Sequence, residues 1–180
     1  MCQDYDVEVE WRAFELHPEI PPEGMQLPPQ VRARLVGMSE RLQGMAQEAG
    51  MQMVMPDLIP NSRRALEAAE YARAQGTHEA FHTGVFRQLY AEGQDIGRWD
   101  VLRAAAEEVG MDADAMQRET EAGSFRATVD WQIAEARALG ITGVPTYIFD
   151  DQYAVVGAQP YEVFQQAMAQ LALDGEQGQE

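Results

Sequence analysis

Cysteine is the residue that most restricts the chemistry open to this chain. Cys2 is the only one in 180 residues, so these residues can form no internal disulfide, Cys-x-x-Cys dithiol or multi-cysteine metal site. A lone cysteine beside the N-terminus is expected to be structural, and no catalytic residue is assigned. His78 and His82 stand one helical turn apart, a spacing that can hold a metal ion, but the sequence offers no third ligand nearby. A packing role is expected for His82, and no metal site. Met38, Met45, Met51, Met53 and Met55 make a methionine-rich stretch. Methionine fills irregular cores, which is the plain expectation, the sharper one being an adaptable wall of a peptide groove. No phosphate loop, nucleophile elbow or carboxylate pair placed for acid–base work is present. What remains is Gly143-Val144-Pro145-Thr146. A proline holds the residue before it extended, and a Gly-x-Pro ahead of a strand is ordinarily a plain turn.

The elements that must position these residues fall into three stretches. Val7, Val9, Trp11 and Ala13 alternate with Glu8, Glu10 and Arg12, the period of a half-exposed strand near a sheet edge. His17 to Pro29 holds five prolines and a glycine and predicts an irregular loop. A long helical middle follows. Val31, Leu35, Met38, Leu42 and Met45 share one helical face, ending near Gly50. Asn61 or Ser62 can cap a helix that turns Ala65, Ala69 and Ala72 inward and closes at Gly76. Further stripes are Phe81-Val85-Leu89, then Leu102-Ala105-Ala106-Val109 stopped at Gly110. A short helix capped by Asp112 ends near Gly123, and Phe125-Val129-Ile133-Ala136 ends at Gly140. Helix–glycine–helix joints of this kind predict a compact bundle. The third stretch changes period. Thr146–Phe149 and Tyr153–Val156 predict a hairpin turning at Asp150-Asp151. Pro160 suits a first helical position, Phe164, Ala167, Met168 and Leu171 stripe a closing helix, and 174–180 is a polar tail expected to fray.

Composition narrows the partners. The formal charge is −17 and all 13 basic residues are arginine. Such acidity argues against nucleic acid and against anionic membranes, since both need a positive surface. No apolar run is long enough to span a bilayer, and Met1-Cys2-Gln3-Asp4-Tyr5-Asp6 lacks the basic start and apolar stretch of a secretion signal. The cytoplasm is the expected compartment. Apolar residues make up 46% of the chain, enough for a substantial core.

Three segments resemble the FrnE-like branch of the DsbA family. Val9-Glu10-Trp11-Arg12-Ala13-Phe14-Glu15-Leu16, with Pro18 and Glu23-Gly24, is similar to the strand and loop that follow that branch's active site. Ala65-Leu66-Glu67-Ala68-Ala69-Glu70-Tyr71-Ala72 and Phe81-His82 resemble its inserted helices. Gly140-Ile141-Thr142-Gly143-Val144-Pro145-Thr146 and Val156-Gly157-Ala158-Gln159-Pro160 resemble its C-terminal signature, the most specific part. The likeness runs from about Val7 to Leu171.

The resemblance implies an α/β, thioredoxin-like (DsbA-type) sheet with an inserted all-helical domain, lacking the first strand and the Cys-x-x-Cys helix. Residues 1–29 would be a partial thioredoxin-like domain of strand and loop, and 30–139 the helical insertion. Residues 140–173 would complete the thioredoxin-like part, with 174–180 as the tail. It also implies a cis Val144–Pro145 bond, with Val144 offering its N–H and C=O to a passing peptide as an added strand would. Gly143, Val144, Pro145 and Thr146 are therefore the expected substrate-binding residues. The implied activity is thiol–disulfide exchange with protein or peptide thiols and disulfides, without a cofactor, and inactive in this chain for want of the dithiol. A strand and Cys-x-x-Cys encoded upstream of Met1 are expected. Two alternatives share the fold. One is a relative of glutathione-dependent 2-hydroxychromene-2-carboxylate isomerase and the kappa-class glutathione transferases, which use a Ser or a lone Cys. The other is a non-catalytic peptide-binding module. Open strand edges would favour pairing of two copies.

Overall fold

The structure, a computed structural model, describes residues 4–54 and 58–177. Cys2 and Met55 lie outside the described residues. The order is β1 (Met25–Gln26), α1 (Pro29–Glu48), β2 (Leu58–Ile59), α2 (Arg63–Ala74), α3 (His78–Tyr90), α4 (Trp99–Glu108), α5 (Ala113–Glu121), α6 (Arg126–Ala138), β3 (Thr146–Phe149), β4 (Tyr153–Val156) and α7 (Tyr161–Gln177). The helical middle and the terminal hairpin fall where the sequence patterns place them.

The core lies among α2, α3, α4 and α5. Phe81, Leu102 and Met116 are fully buried there, and Ala68, Ala72, Ala105 and Ala106 have no exposed surface. Alanine at the contact faces lets neighbouring helices approach closely, while the three large side chains fill the space between them. The joints have physical causes. Asp112 accepts a hydrogen bond from Ala115 N at 2.9 Å, capping α5. Asn61 Oδ1 accepts from Arg63 N at 2.9 Å ahead of α2, and its Nδ2 donates to Ile20 O at 2.6 Å, tying the proline-rich loop to that helix. At the end of α6, Gly140 adopts φ +76°, and Ile141 N donates to Ala136 O at 3.0 Å. That left-handed turn suits glycine and reverses the chain toward the hairpin.

The N-terminal segment differs from expectation. Residues 7–13, which alternate like a strand, form no ladder in the structure. The described strands make only two two-stranded antiparallel sheets, β1–β2 and β3–β4, so this segment has no strand to pair with. It runs instead as a strap over the helices. Ala13 is buried against Val129 and Ile133, and its N–H donates to Gln132 Oε1 at 2.6 Å. Gln132 Nε2 in turn donates to Glu70 Oε1 at 3.0 Å, and Arg73 donates to Glu70 Oε2 at 3.1 Å and to Trp11 O at 2.6 Å. Side-chain bonds thus replace the missing backbone ladder. The loop 17–29 also contains the two-residue strand β1, paired with β2 in the register Met25↔Ile59 and Gln26↔Leu58. The C-terminal tail departs from expectation too. Residues 174–177 continue α7, their Asp, Glu and Gln being compatible with helix and Gly175 too weak a breaker to stop it.

Candidate functional site: the loop before the terminal hairpin

The loop 141–145 joins the end of α6 to β3. The Val144–Pro145 peptide bond is cis. Two bonds hold the bend: Thr146 Oγ1 donates to Gly143 O at 2.8 Å, and Pro145 O accepts from Gly157 N at 2.8 Å. The hairpin register continues from there, Thr146↔Val156 to Phe149↔Tyr153. At its tip Asp150 and Asp151 take φ +50° and +55°, the conformation that lets a tight turn follow the strands' twist.

Alternation along the strands divides the hairpin into two faces. Tyr147, Phe149 and Val155 belong to the face on which α7 packs, where Val155 is buried and Tyr147 keeps 40% exposure. The rings of Tyr147 and Phe149 meet the buried Phe164 edge-on at 4.9 and 6.2 Å between centroids. Ile148 and Val156 lie on the other face, which stays open at 42% and 61% exposure. Val144 is 52% exposed beside it, and its backbone N–H and C=O carry no hydrogen bond to any described residue. The four residues expected to bind substrate are therefore brought together at the surface. Val144 offers an unpaired donor and an unpaired acceptor there, beside an apolar face, and the four residues hold no cysteine.

The other sequence candidates resolve differently. His82 lies between Trp11 and Phe86, ring centroids 4.3 and 4.4 Å away, with His78 stacked behind it. Burial, then the nearby His78 and Arg73, lower the His82 pKa to about 4. Burial and Arg73 also lower that of His78, whose Nε2 faces an Arg73 nitrogen at 3.2 Å. An acceptor turned toward a guanidinium is poorly placed for a metal, and no group of three or more metal-ligating side chains occurs among the described residues. The two histidine rings form one run of ring contacts with Trp11 and Phe86. Among the methionines, Met45 and Met51 are 52% and 61% exposed, so they fill no core. Sequence reasoning missed the strap network of Glu70, Arg73 and Gln132. A buried Glu or Gln in a helical pattern reads like any solvated residue, and no sequence signal marks it.

The chain has the thioredoxin-like fold of DsbA type. The chain belongs to the DSBA-like thioredoxin domain family, whose model matches residues 1–169. It is 31% identical over 168 residues to the uncharacterized protein YwbO of Bacillus subtilis, covering 91% of this chain and 82% of that one. Over 85 residues it is 34% identical to a 2-hydroxychromene-2-carboxylate isomerase of Sphingobium xenophagum, a match spanning 47% of this chain and 44% of the isomerase. The crystal structure of a probable DsbA oxidoreductase from Streptomyces coelicolor superposes with a TM-score of 0.80 at 26% identity, over 88% of this chain and 73% of that one. A 2-hydroxychromene-2-carboxylate isomerase structure superposes at 0.77 with 23% identity, which speaks to the fold alone. No helix among the described residues is long and apolar enough to cross a membrane.

Proposed function

We propose that this protein is a FrnE-like member of its family that takes part in thiol–disulfide exchange with protein or peptide substrates. The described residues would supply the docking loop. An extended substrate segment would pair with the N–H and C=O of Val144, with Gly143, Pro145 and Thr146 fixing the bend and the open face of Ile148 and Val156 taking its side chains. The observation that carries this reading is an exposed, unpaired Val144 backbone next to a cis proline at the mouth of an open hairpin. In exchange, a thiolate attacks one sulfur of a substrate disulfide, forming a mixed disulfide and releasing the other sulfur as a thiolate. A second cysteine then resolves the mixed disulfide. These 180 residues hold one cysteine, so the dithiol must be contributed by residues other than these, and residues upstream of Met1 are the proposed source. Residues 1–29 and 140–173 would form the thioredoxin-like part around the helical insertion 30–139, acting in the cytoplasm.

The test is dithiothreitol-driven insulin reduction followed by turbidity. The 180-residue chain is expected not to accelerate it, whereas a longer chain including in-frame upstream residues is expected to do so. Acceleration by the short chain, or none by the longer one, would count against the proposal. The 85-residue match favours a second reading, a glutathione-dependent isomerase. Glutathione-dependent conversion of 2-hydroxychromene-2-carboxylate by the longer chain, without insulin reduction, would select it.

A further inference from the structure

Away from the hairpin, a cavity of about 630 Å³ opens in the helical body between the loop 15–22, α2, α4, α5 and α6. This volume lies within the range that takes a small organic ligand. Its walls carry both signs of charge. Arg63, Arg64 and Arg126 line it together with Glu15, Glu67, Glu121 and Asp130. The interior pairs are largely committed: Arg63 contacts Glu67 at 2.6 Å, Asp130 at 2.7 Å and Glu15 at 3.5 Å. Arg64 donates to Gly97 O at 2.8 Å and lies over the Trp99 ring, 5.5 Å from its centroid. Two groups remain at the solvent side. The Arg126 side chain is 64% exposed, and among the described residues its one ion-pair contact is Glu67, at 4.0 Å. Glu121 is exposed and accepts from the neutral Gln117 at 2.9 Å.

Two further features bear on the occupant. The first helical residues of α2, α4 and α6 (Arg63, Trp99 and Arg126) all line the cavity; Asn61 Oδ1 already accepts from Arg63 N and Asp100 occupies the first turn of α4, whereas the first turn of α6 carries no acidic residue and its N-cap residue makes no side-chain bond. The N-terminal dipole end of α6 adds positive potential to a lining whose formal charge is −1, from three arginines and four carboxylates. The Thr120 hydroxyl, in the wall and buried, has no hydrogen-bond partner among the described residues. Four carboxylates disfavour a pure anion. Three guanidinium groups and the open N-terminus of α6 disfavour a pure cation.

We infer that this cavity is a binding site for a zwitterionic amino acid or short peptide, its carboxylate held at Arg126, its ammonium at Glu121, and its apolar side chain against Trp99. The site is separate from the docking loop and does not depend on any dithiol.

The probe is the dipeptide alanyl-phenylalanine, titrated calorimetrically into the chain beside its C-terminal amide and its N-acetyl derivative. The free dipeptide is expected to bind one to one, and each blocked form about ten-fold more weakly, as befits loss of one charge-assisted hydrogen bond. In Arg126→Gln the free dipeptide and its amide should bind equally. In Glu121→Gln the free dipeptide and its N-acetyl form should bind equally. Both positions are exposed, so both variants should keep the parent's Tm. No binding at about ten millimolar dipeptide, roughly the weakest affinity worth counting as a site, would overturn the inference. So would unchanged discrimination between the three probes in both variants.

Discussion

Gln132 reaches both ways across the joint between strap and bundle, accepting from Ala13 and donating to Glu70 from a side chain that is 5% exposed. Replacing it by leucine keeps the volume but leaves a buried N–H and a carboxylate oxygen without that partner. Each such loss costs roughly 1–3 kcal/mol, so Gln132→Leu should lower stability by about 2–4 kcal/mol, measured as a fall in the denaturant midpoint at unchanged slope. His82 gives a pH prediction of definite sign. Its pKa in the folded chain is about 4, below the ordinary 6.5. As pH falls from 6.5 toward 4 the unfolded chain takes up a proton that the folded chain refuses, so stability is lost over that window and levels off beneath it. His78, shifted the same way, adds to the slope. Phenylalanine at position 82 keeps a ring between Trp11 and Phe86 and removes the titration. The Tm of His82→Phe should therefore gain on that of the parent steadily between pH 6.5 and pH 4. A gap that stays constant would refute the assignment.

Among elements, the hairpin and α7 depend on one another. Phe164 is the buried ring that both Tyr147 and Phe149 meet. Truncating a buried phenylalanine to alanine costs about 3–5 kcal/mol where it is well enclosed. In Phe164→Ala the loss should fall on the terminal unit first. Amide exchange in β3, β4 and α7 should quicken, while amides of α2 to α5, whose core is built from other side chains, stay protected. Uniform quickening across both units would mean that they unfold as one. The strap shows how element type can follow from a partner rather than from local pattern. Val7 to Ala13 alternates as a strand should, yet a strand exists only in a ladder, and here the backbone of Trp11 and Ala13 is held by the side chains of Arg73 and Gln132 instead.

At the scale of the whole molecule, what sequence reading recovers follows from where the information is local. Glycine at Gly76, Gly110 and Gly140 marks helix ends because the left-handed turn is a single-residue requirement. Asp112 marks a cap for the same reason, whereas the family is shown by a match that runs over residues 1–169. The two-residue pairing of Met25–Gln26 with Leu58–Ile59 joins segments more than thirty positions apart and leaves no periodicity to detect. The charged cavity is likewise assembled from the loop at Glu15 and from four helices, so no single stretch announces it. The strap also decides where the aromatic reporters of the molecule sit. Of its three tryptophans, Trp11 rides in the strap against His82, Trp131 lies under the Arg12 guanidinium at 5.2 Å, and Trp99 walls the cavity. Indole emission is thus a gauge of strap release and cavity occupancy.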